Sequence, residues 1–321
     1  MRTRAASFLI LLPAIVASLV FVYGFIAWTG FASITGWDQI RALKHFLPDF
    51  PVVGLENYAS LFSTPRFWPN DLVNNAVFTV GFVGFSLTLG VMLAILLDQR
   101  IRGESFFRNL FLFPMSLSYV VTGTIWSWIF NPNIGINQLL APLRFGAFRE
   151  ALLQLGFLSP LWAFLDGRHV NIVRPGLTAD PRAALGAIVV AAVWQSSGFV
   201  MAMFLAGLRG IPEEVREAAR VDGASEHQIY RRILIPMLGP VFVSTIVLLG
   251  YLSLKVFDLV FVTTRGGPDV SSDFPSIFLF DSAFKSNLWA RGAAIACVML
   301  IASAVLVIPY LRWQLRREGR R

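Results

Sequence analysis

The chain has few of the residues that build disulfides, metal sites and acid–base catalysts. Its 321 residues include one cysteine and three histidines. Cys297 has no second cysteine to pair with, which excludes a disulfide within the chain and a cysteine metal site. His45, His169 and His227 lie in separate segments, without the spacing of zinc ligands. We therefore expect no metal site and no intramembrane enzyme that uses a histidine base.

Lysine is also scarce, and its positions argue against a nucleotide-binding loop. The lysines are Lys44, Lys255 and Lys285, and none of them follows a glycine. A phosphate-binding P-loop requires a glycine directly before its lysine. We therefore predict that this chain is not itself an enzyme and binds neither ATP nor another cofactor.

Charged residues make up only 14% of the chain and hydrophobic residues 56%, with a mean hydropathy of +0.65. A soluble domain has about 25% charged residues. The apolar residues occur in runs of roughly 20, the length that crosses a bilayer. We expect an all-α integral membrane protein of one domain, 1–321, with six transmembrane helices. The predicted spans are about 5–28, 76–97, 107–130, 183–208, 241–264 and 290–311.

The basic residues lie in short clusters beside the apolar runs, which is the pattern of membrane anchors rather than of a nucleic-acid-binding surface. Fifteen of the 27 lysines and arginines lie at the N-terminus, at the second connection, in 209–240 and in the C-terminal tail. Lysine and arginine in short loops collect on the cytoplasmic side. We therefore expect both termini to be cytoplasmic and the long loop at 131–182 to be external.

One segment, Arg209–Pro240, is far more polar than the sequence on either side of it. Pro212 favours the start of a helix, Gly223 interrupts that helix, and Ser225 with Gln228 forms a capping box for a second one. We predict a helix–turn–helix at the cytoplasmic face. From periodicity alone, a solvated connector held by charge pairs four residues apart is an equal alternative.

This segment resembles the EAA loop in the permease subunits of ATP-binding-cassette importers. The family pattern is E-A-A, three residues, G, nine residues, I-x-L-P, and the chain departs from it only at Ile235, where the family has leucine. The resemblance implies a six-span permease whose loop docks into a separate ATPase subunit, where ATP and magnesium are bound. It assigns this coupling role to Glu217, Ala218, Ala219, Gly223, Ile233 and Pro236.

Shorter stretches are similar to the sugar-permease branch of that family, which includes the maltose and glycerol-phosphate permeases. These stretches are 54–58, 206–212, 257–259 and 264–268, and 96–102 and 201–205 resemble the glucose and mannose permeases. The resemblance implies a heterodimer with a second permease, an ATPase dimer and an external solute-binding protein. The expected substrate is glucose or mannose, and the alternative is an oligosaccharide or a glycerol-phosphate-type solute.

The resemblance also implies a substrate pathway. Alignment outward from the EAA loop places five residues where related maltose permeases line their sugar site: Gln195, Ser196, Phe199, Leu249 and Ser253. Polar residues of this kind also form hydrogen bonds between membrane helices. Lys255 and Asp258 lie in the predicted fifth span, three residues apart, where they can form a structural pair or a gate. An ion-coupled secondary transporter needs carboxylates or histidines deep in its spans, and Asp258 meets that need only marginally.

Overall fold

The computed structural model describes residues 11–38, 51–99, 101–131 and 184–318, and their regular secondary structure is helical. This confirms the predicted all-α class. In chain order the helices are α1 (Leu11–Ser33), α2 (Glu56–Ser63), α3 (Leu72–Asp98), α4 (Glu104–Leu112), α5 (Tyr119–Ile129), α6 (Ala184–Arg209), α7 (Glu213–Val221), α8 (Glu226–Met237), α9 (Gly239–Leu254), α10 (Asp258–Thr263), α11 (Pro275–Phe280) and α12 (Trp289–Glu318). The long loop predicted at 131–182 lies outside the described residues, except for Asn131.

Among the described residues, four helices are long and apolar enough to cross a membrane. They are α1, α6, the helix Arg66–Asp98 (which contains α3) and the part Trp289–Arg316 of α12. Two further stretches qualify only as bent pairs. Glu104–Ser116 meets α5 at 101°, and α8 meets α9 at 64°. The described residues therefore hold four spans, or six if each bent pair counts as one. The sequence predicted a third span at 107–130 and a fifth span at 241–264 that is broken by Lys255 and Asp258. In the structure the third is bent between Ser116 and Tyr119, and within the fifth α9 ends at Leu254 before α10 begins at Asp258.

The break before α5 follows from local chemistry. Pro114 lies in a short 3₁₀ turn, Phe113–Ser116, and Leu117 then adopts an extended conformation with ψ of 147°. The side chain of Ser118 caps the new helix by accepting a hydrogen bond from the backbone N–H of Val121 at 3.3 Å. A serine N-cap stabilises a helix start, so α5 begins as a separate helix.

The described chain falls into two compact units, the first of which consists of Met1–Pro69 and Pro275–Ala302. Polar contacts join its short helices. The side-chain amide of Asn57 in α2 donates to the backbone carbonyls of Ser33 and Thr35, both at 2.8 Å. Arg66 pairs with Asp281 at 2.6 Å. The first contact holds α2 against the end of α1, and the second joins the segment after α2 to the segment after α11.

The second unit consists of Asn70–Phe274 and Ser303–Arg321, and α3 packs along α6 in it. Small residues allow the close approach. A Cβ atom at Gly90 would lie 2.5 Å from the side chain of Val200, and one at Gly198 would lie 1.9 Å from the carbonyl oxygen of Phe111. Close packing through small residues is the main attraction between helices in lipid. It holds α6 against α3 and against the segment before α5, which is where the candidate site lies.

Candidate functional site

A cavity of about 480 Å³ in the second unit brings together four of the five predicted substrate-pathway residues. Its walls come from the segment before α5, the middle of α6, α9 and the start of α10. The lining residues are Met115, Leu117, Ser118, Tyr119, Gln195, Ser196, Phe199, Leu248, Leu249, Leu252 and Asp258. The sequence thus placed Gln195, Ser196, Phe199 and Leu249 in one neighbourhood, and their contact with a substrate stays a prediction.

Gln195 is the most informative residue in this cavity. It is 5% exposed, and its Nε2 donates a hydrogen bond to the backbone carbonyl of Leu117 at 2.8 Å. Its Oε1 has no hydrogen-bond partner among the described residues. A buried acceptor without a partner costs free energy, and an amide oxygen accepts readily from a hydroxyl group. The side chain is therefore held in place by its amide nitrogen, and its oxygen is a buried acceptor in a residue that lines the cavity.

A second cavity of about 270 Å³ adjoins the first, because Tyr119, Leu252 and Asp258 line both. Ser253, the fifth predicted pathway residue, lines this second cavity. Its hydroxyl is already engaged, since it lies 2.8 Å from the Thr79 hydroxyl and donates to the Gly250 carbonyl at 2.7 Å. Ser253 thus joins α9 to α3, which favours a role in helix packing.

Lys255 and Asp258 do not form the helical pair that their spacing predicted. The helix α9 ends at Leu254, Lys255 follows it as the C-cap, and Asp258 begins α10. No ion pair joins them among the described residues. The Lys255 Nζ lies 3.4 Å from the Tyr251 hydroxyl and 4.4 Å from the centre of that ring. The break separates the two charges because residues three apart face each other only on a continuous helix.

Sequence reasoning missed three residues at these cavities. Tyr119 lines both of them as the first residue of α5. Asn75 and Thr79 of α3 bond to Ser253, with the Asn75 amide donating to the Ser253 carbonyl at 3.2 Å. The spacing of Pro114 and Ser118 signals a helix break and would have drawn attention to Tyr119. The contact of Asn75 and Thr79 with Ser253 could not be predicted locally, because these residues are far apart in the sequence.

The second candidate site is the charged segment that contains α7 and α8. Gly223 has φ of +81°, a left-handed conformation that glycine adopts without strain, and it turns the chain between the two helices. The side chain of Ser225 and that of Gln228 form the predicted capping box at the start of α8. The chain then continues as helix to Met237, beyond the predicted end near Ile235.

One face of α7 is fully open. Glu214, Glu217, Ala218 and Val221 are exposed, and Val221 reaches 87%. The six predicted coupling residues divide by burial: Glu217, Ala218, Gly223 and Pro236 are exposed, Ile233 is half-buried and Ala219 is buried. Val221 is the most exposed apolar side chain of this face, and the sequence pattern did not single it out.

The opposite face of α7 rests on a buried ion pair. Arg216 Nη1 donates to Asp98 Oδ2 at 2.8 Å, and the Tyr230 hydroxyl donates to the same oxygen at 2.6 Å. Burial alone would lower the pKa of the Arg216 guanidinium, but the hydrogen bond and charge of Asp98 outweigh it and raise this pKa. The arginine therefore stays protonated. Beside the pair lies a cavity of about 750 Å³ with walls that include Arg209 and Glu104.

These features define a class: a helical membrane protein with adjoining internal cavities and a charged helix–turn–helix segment. The profile of the family described as "Binding-protein-dependent transport system inner membrane component" matches residues 86–317. The chain therefore belongs to this family, the membrane-spanning permease subunits of ATP-binding-cassette importers.

Related proteins match along most of their length. A probable ABC transporter permease protein of Pyrococcus horikoshii is 37% identical over 312 residues, which are 97% of this chain and 96% of the relative. A xylose/arabinose import permease protein of Haloferax volcanii is 36% identical over 309 residues, which are 96% of this chain and 87% of the relative.

Two solved structures share the fold, each at 17% identity. The first is a bacterial ABC transporter involved in the import of the acidic polysaccharide alginate; it has a TM-score of 0.76 and covers 98% of this chain and 96% of that chain. The second is a bacterial alginate ABC transporter in complex with an alginate pentasaccharide-bound periplasmic protein; it has a TM-score of 0.73 and covers 96% and 93%.

Proposed function

We propose that the chain forms half of the translocation pathway of an ATP-driven carbohydrate importer. The observation that carries this proposal is the cavity that Gln195, Ser196 and Phe199 line together, in which Gln195 has a buried Oε1 without a hydrogen-bond partner among the described residues. A sugar offers hydroxyl donors for the amide oxygen and apolar ring faces for the aromatic side chain. The family membership supports transport, and the similarity to a xylose/arabinose import permease supports a carbohydrate substrate.

The proposed substrate is glucose or mannose. The charge of the cavity favours a neutral solute over a glycerol-phosphate-type one, because the first cavity holds one charged side chain, the carboxylate of Asp258. Like charges in one site repel each other, so a phosphate group is disfavoured there. Pentoses are the main competitors because of the 36% identity to the xylose/arabinose permease. An oligosaccharide is the remaining alternative within the family.

The proposed division of labour assigns ATP hydrolysis to a separate pair of ATPase subunits that bind ATP and magnesium. The exposed face of α7 with Glu217 and Val221 is the proposed contact with that pair, and Gly223 sets the angle between α7 and α8. A second permease completes the pathway, and an external solute-binding protein delivers the sugar. The periplasmic protein in the alginate transporter complex supports this last partner. Both termini of the chain are proposed to be cytoplasmic, in a bacterial plasma membrane.

The test is uptake into proteoliposomes that contain the complete complex with its binding protein. The panel consists of labelled glucose, mannose, xylose, arabinose, maltose and glycerol 3-phosphate, each measured with and without ATP. We expect ATP-dependent accumulation of glucose or mannose. Accumulation of a different sugar with ATP would correct the substrate and keep the class. Uptake that needs only a proton or sodium gradient would show an ion-coupled transporter and overturn the proposal.

A further inference from the structure

The side chain of Arg216 connects four helices, one of which, α3, ends 118 residues earlier in the sequence. It belongs to α7, it bonds to Asp98 at the end of α3, and its Nη2 donates to the carbonyl of Leu208 near the end of α6 at 3.1 Å. Through Asp98 it reaches the hydroxyl of Tyr230 in α8. The guanidinium also lies 5.8 Å from the centre of the Tyr230 ring. One planar group thus connects α7, α8 and the ends of two membrane helices.

This ion pair is buried, which makes its presence informative. The Arg216 side chain is 9% exposed and that of Asp98 is 4% exposed. A buried ion pair is often no more stabilising than apolar residues of the same size, because desolvation offsets the attraction. What the charges add is geometry, since a guanidinium fork fixes direction as well as distance. The network therefore holds α7 in one orientation against α3 and α6.

The neighbouring Arg220 makes a useful contrast. It pairs with Glu226 at 2.8 Å and with Glu213 at 3.4 Å, and so links α7 to α8 across the turn at Gly223. These side chains are about half exposed, and surface ion pairs contribute little. Within the part of the chain that the structure describes, no hydrogen bond or ion pair joins Arg220 to α3 or α6. Loss of its charge changes the same segment without cutting the connection to the membrane helices.

The two membrane helices that Arg216 contacts, α3 and α6, also line the two adjoining cavities of the candidate substrate site. The helix α3 carries Phe78 and Phe82, which line the second cavity, and α6 carries Gln195 in the first. Asp98 lies twenty residues from Phe78, roughly 30 Å along a helix that rises 1.5 Å per residue. A continuous helix is stiff over this length, so a displacement of its end by α7 is passed on to the cavity wall.

We propose that Arg216 is a positioning residue that transmits the movement of α7 to α3 and α6 through Asp98, while Glu217 and Val221 only dock the ATPase. This inference rests on the proposed function. It separates the residues of the charged segment into a contact set on the outer face of α7 and a transmission set on its inner face. Loss of the transmission set leaves ATPase binding intact and uncouples ATP hydrolysis from sugar uptake.

The experiment compares four forms of the complete reconstituted importer. They are wild type, Arg216→Met, the double variant Asp98→Leu/Arg216→Met, and the exposed control Arg220→Met. The readouts are ATPase co-purification, melting temperature, and ATP hydrolysed per labelled glucose molecule taken up, or per molecule of whichever panel sugar the wild type accumulates. The double variant is needed because Arg216→Met alone leaves Asp98 buried and unpaired, and the chain can then fail to fold. Removal of both charges restores a stable apolar contact.

We expect the double variant to stay folded and to keep ATPase binding, with a melting temperature lowered only by the lost hydrogen bonds of Tyr230 and the Leu208 carbonyl. It should hydrolyse about 5-fold or more ATP per sugar, the lower end of typical coupling between distant sites. The Arg220→Met control should keep the wild-type ratio. A double variant with the wild-type ratio would overturn the inference and leave the proposed function standing. A wild-type complex without ATP-dependent uptake would overturn both.

Discussion

The side-chain amide of Gln195 donates a hydrogen bond to the backbone carbonyl of Leu117 at 2.8 Å. This bond satisfies a carbonyl that the break before α5 leaves without a helical partner, and it ties α6 to the start of α5. An unsatisfied carbonyl in the bilayer costs several kcal/mol, which is why a broken span needs such a partner. The same bond fixes the side chain of Gln195 in the wall of the cavity.

The Gln195→Leu substitution tests this arrangement. We expect the initial rate of uptake at low sugar concentration to fall about 30-fold. The site loses one hydrogen-bond acceptor and the break before α5 loses the bond to the Leu117 carbonyl, and each is worth about 1 kcal/mol. The control is Ser197→Ala on the same helix, where the hydroxyl bonds weakly to the Trp194 carbonyl and lines a different, apolar groove. Equal uptake rates in the two variants would contradict a role for Gln195.

Asp258 and Lys255 should differ in their effect on uptake. Asp258 lines both cavities, and a hydrogen bond to a charged group contributes about 1.5–3 kcal/mol, so Asp258→Asn is expected to raise the apparent KM for the sugar by about tenfold or more. Lys255 lines only the second cavity and contacts Tyr251. Lys255→Ala is therefore expected to leave the KM within about twofold of wild type. A large rise with Lys255→Ala alone would assign the charged contact to the lysine.

Glu217→Lys should abolish productive docking of the ATPase. The residue is exposed on the open face of α7, and opposed like charges at an interface cost several kcal/mol, so we expect uptake to fall about tenfold or more. The melting temperature should not change, because the Glu217 side chain is exposed. The matched control is Glu56→Lys, the same change at an exposed first-turn position of α2 in the other unit. ATPase co-purification at the wild-type level with normal uptake would rule out the contact.

Gly223→Val should disturb the turn between α7 and α8. A Cβ atom would meet no other atom within 4 Å, so the expected cost is conformational and comes from φ of +81°. A left-handed conformation costs a branched residue about 1–2 kcal/mol or more. We expect Gly223→Val to reduce uptake and Gly223→Asn to retain most of it. Gly239→Ala is the control, because Gly239 also has free space and an ordinary φ. Normal uptake by the valine variant would show that the turn angle is unimportant.

The ion pair of the first unit predicts a pH dependence. Burial would raise the pKa of the Asp281 carboxyl, but Lys285 and Arg66 outweigh it and lower this pKa below its usual value of 3.8. A carboxyl whose pKa is lower in the folded state stabilises the fold above its unfolded pKa and loses that contribution as the pH falls through the folded pKa. The melting-temperature difference between wild type and Asp281→Asn should therefore be constant from neutral pH to about pH 5 and shrink only below about pH 4. A difference that already shrinks near pH 6 would contradict the lowered pKa.

The charged segment shows how far local sequence reasoning reaches. The capping box at Ser225 and the turn at Gly223 were predicted because each depends on residues within a few positions of one another. The open face of α7 was not identified from the sequence, which grouped the buried Ala219 with the exposed Glu217 and Ala218. The partner of Arg216 was not predicted, because Asp98 lies 118 residues earlier in the chain.

The broken spans show the opposite case. A proline within an apolar run is compatible with a straight, kinked or broken helix, since neighbours in the bilayer satisfy the freed backbone groups. The outcome at Pro114 depended on the Ser118 cap and on the Gln195 amide from another helix. The end of α9 at Leu254 likewise placed Lys255 and Asp258 on different helices, which their spacing did not reveal.

The sequence by itself determined the helical class, the approximate apolar segments, the charged segment between α6 and α9 and the kind of residues near the cavity. The first three follow from composition, hydrophobic run length or local periodicity, and the residues near the cavity follow from the resemblance to the permease family. The tertiary structure alone decided that Gln195 meets Leu117, that Ser253 meets Thr79 and that Arg216 meets Asp98. These contacts join residues at least 78 positions apart, and the close packing of helices through glycines such as Gly90 and Gly198 sets which of them meet.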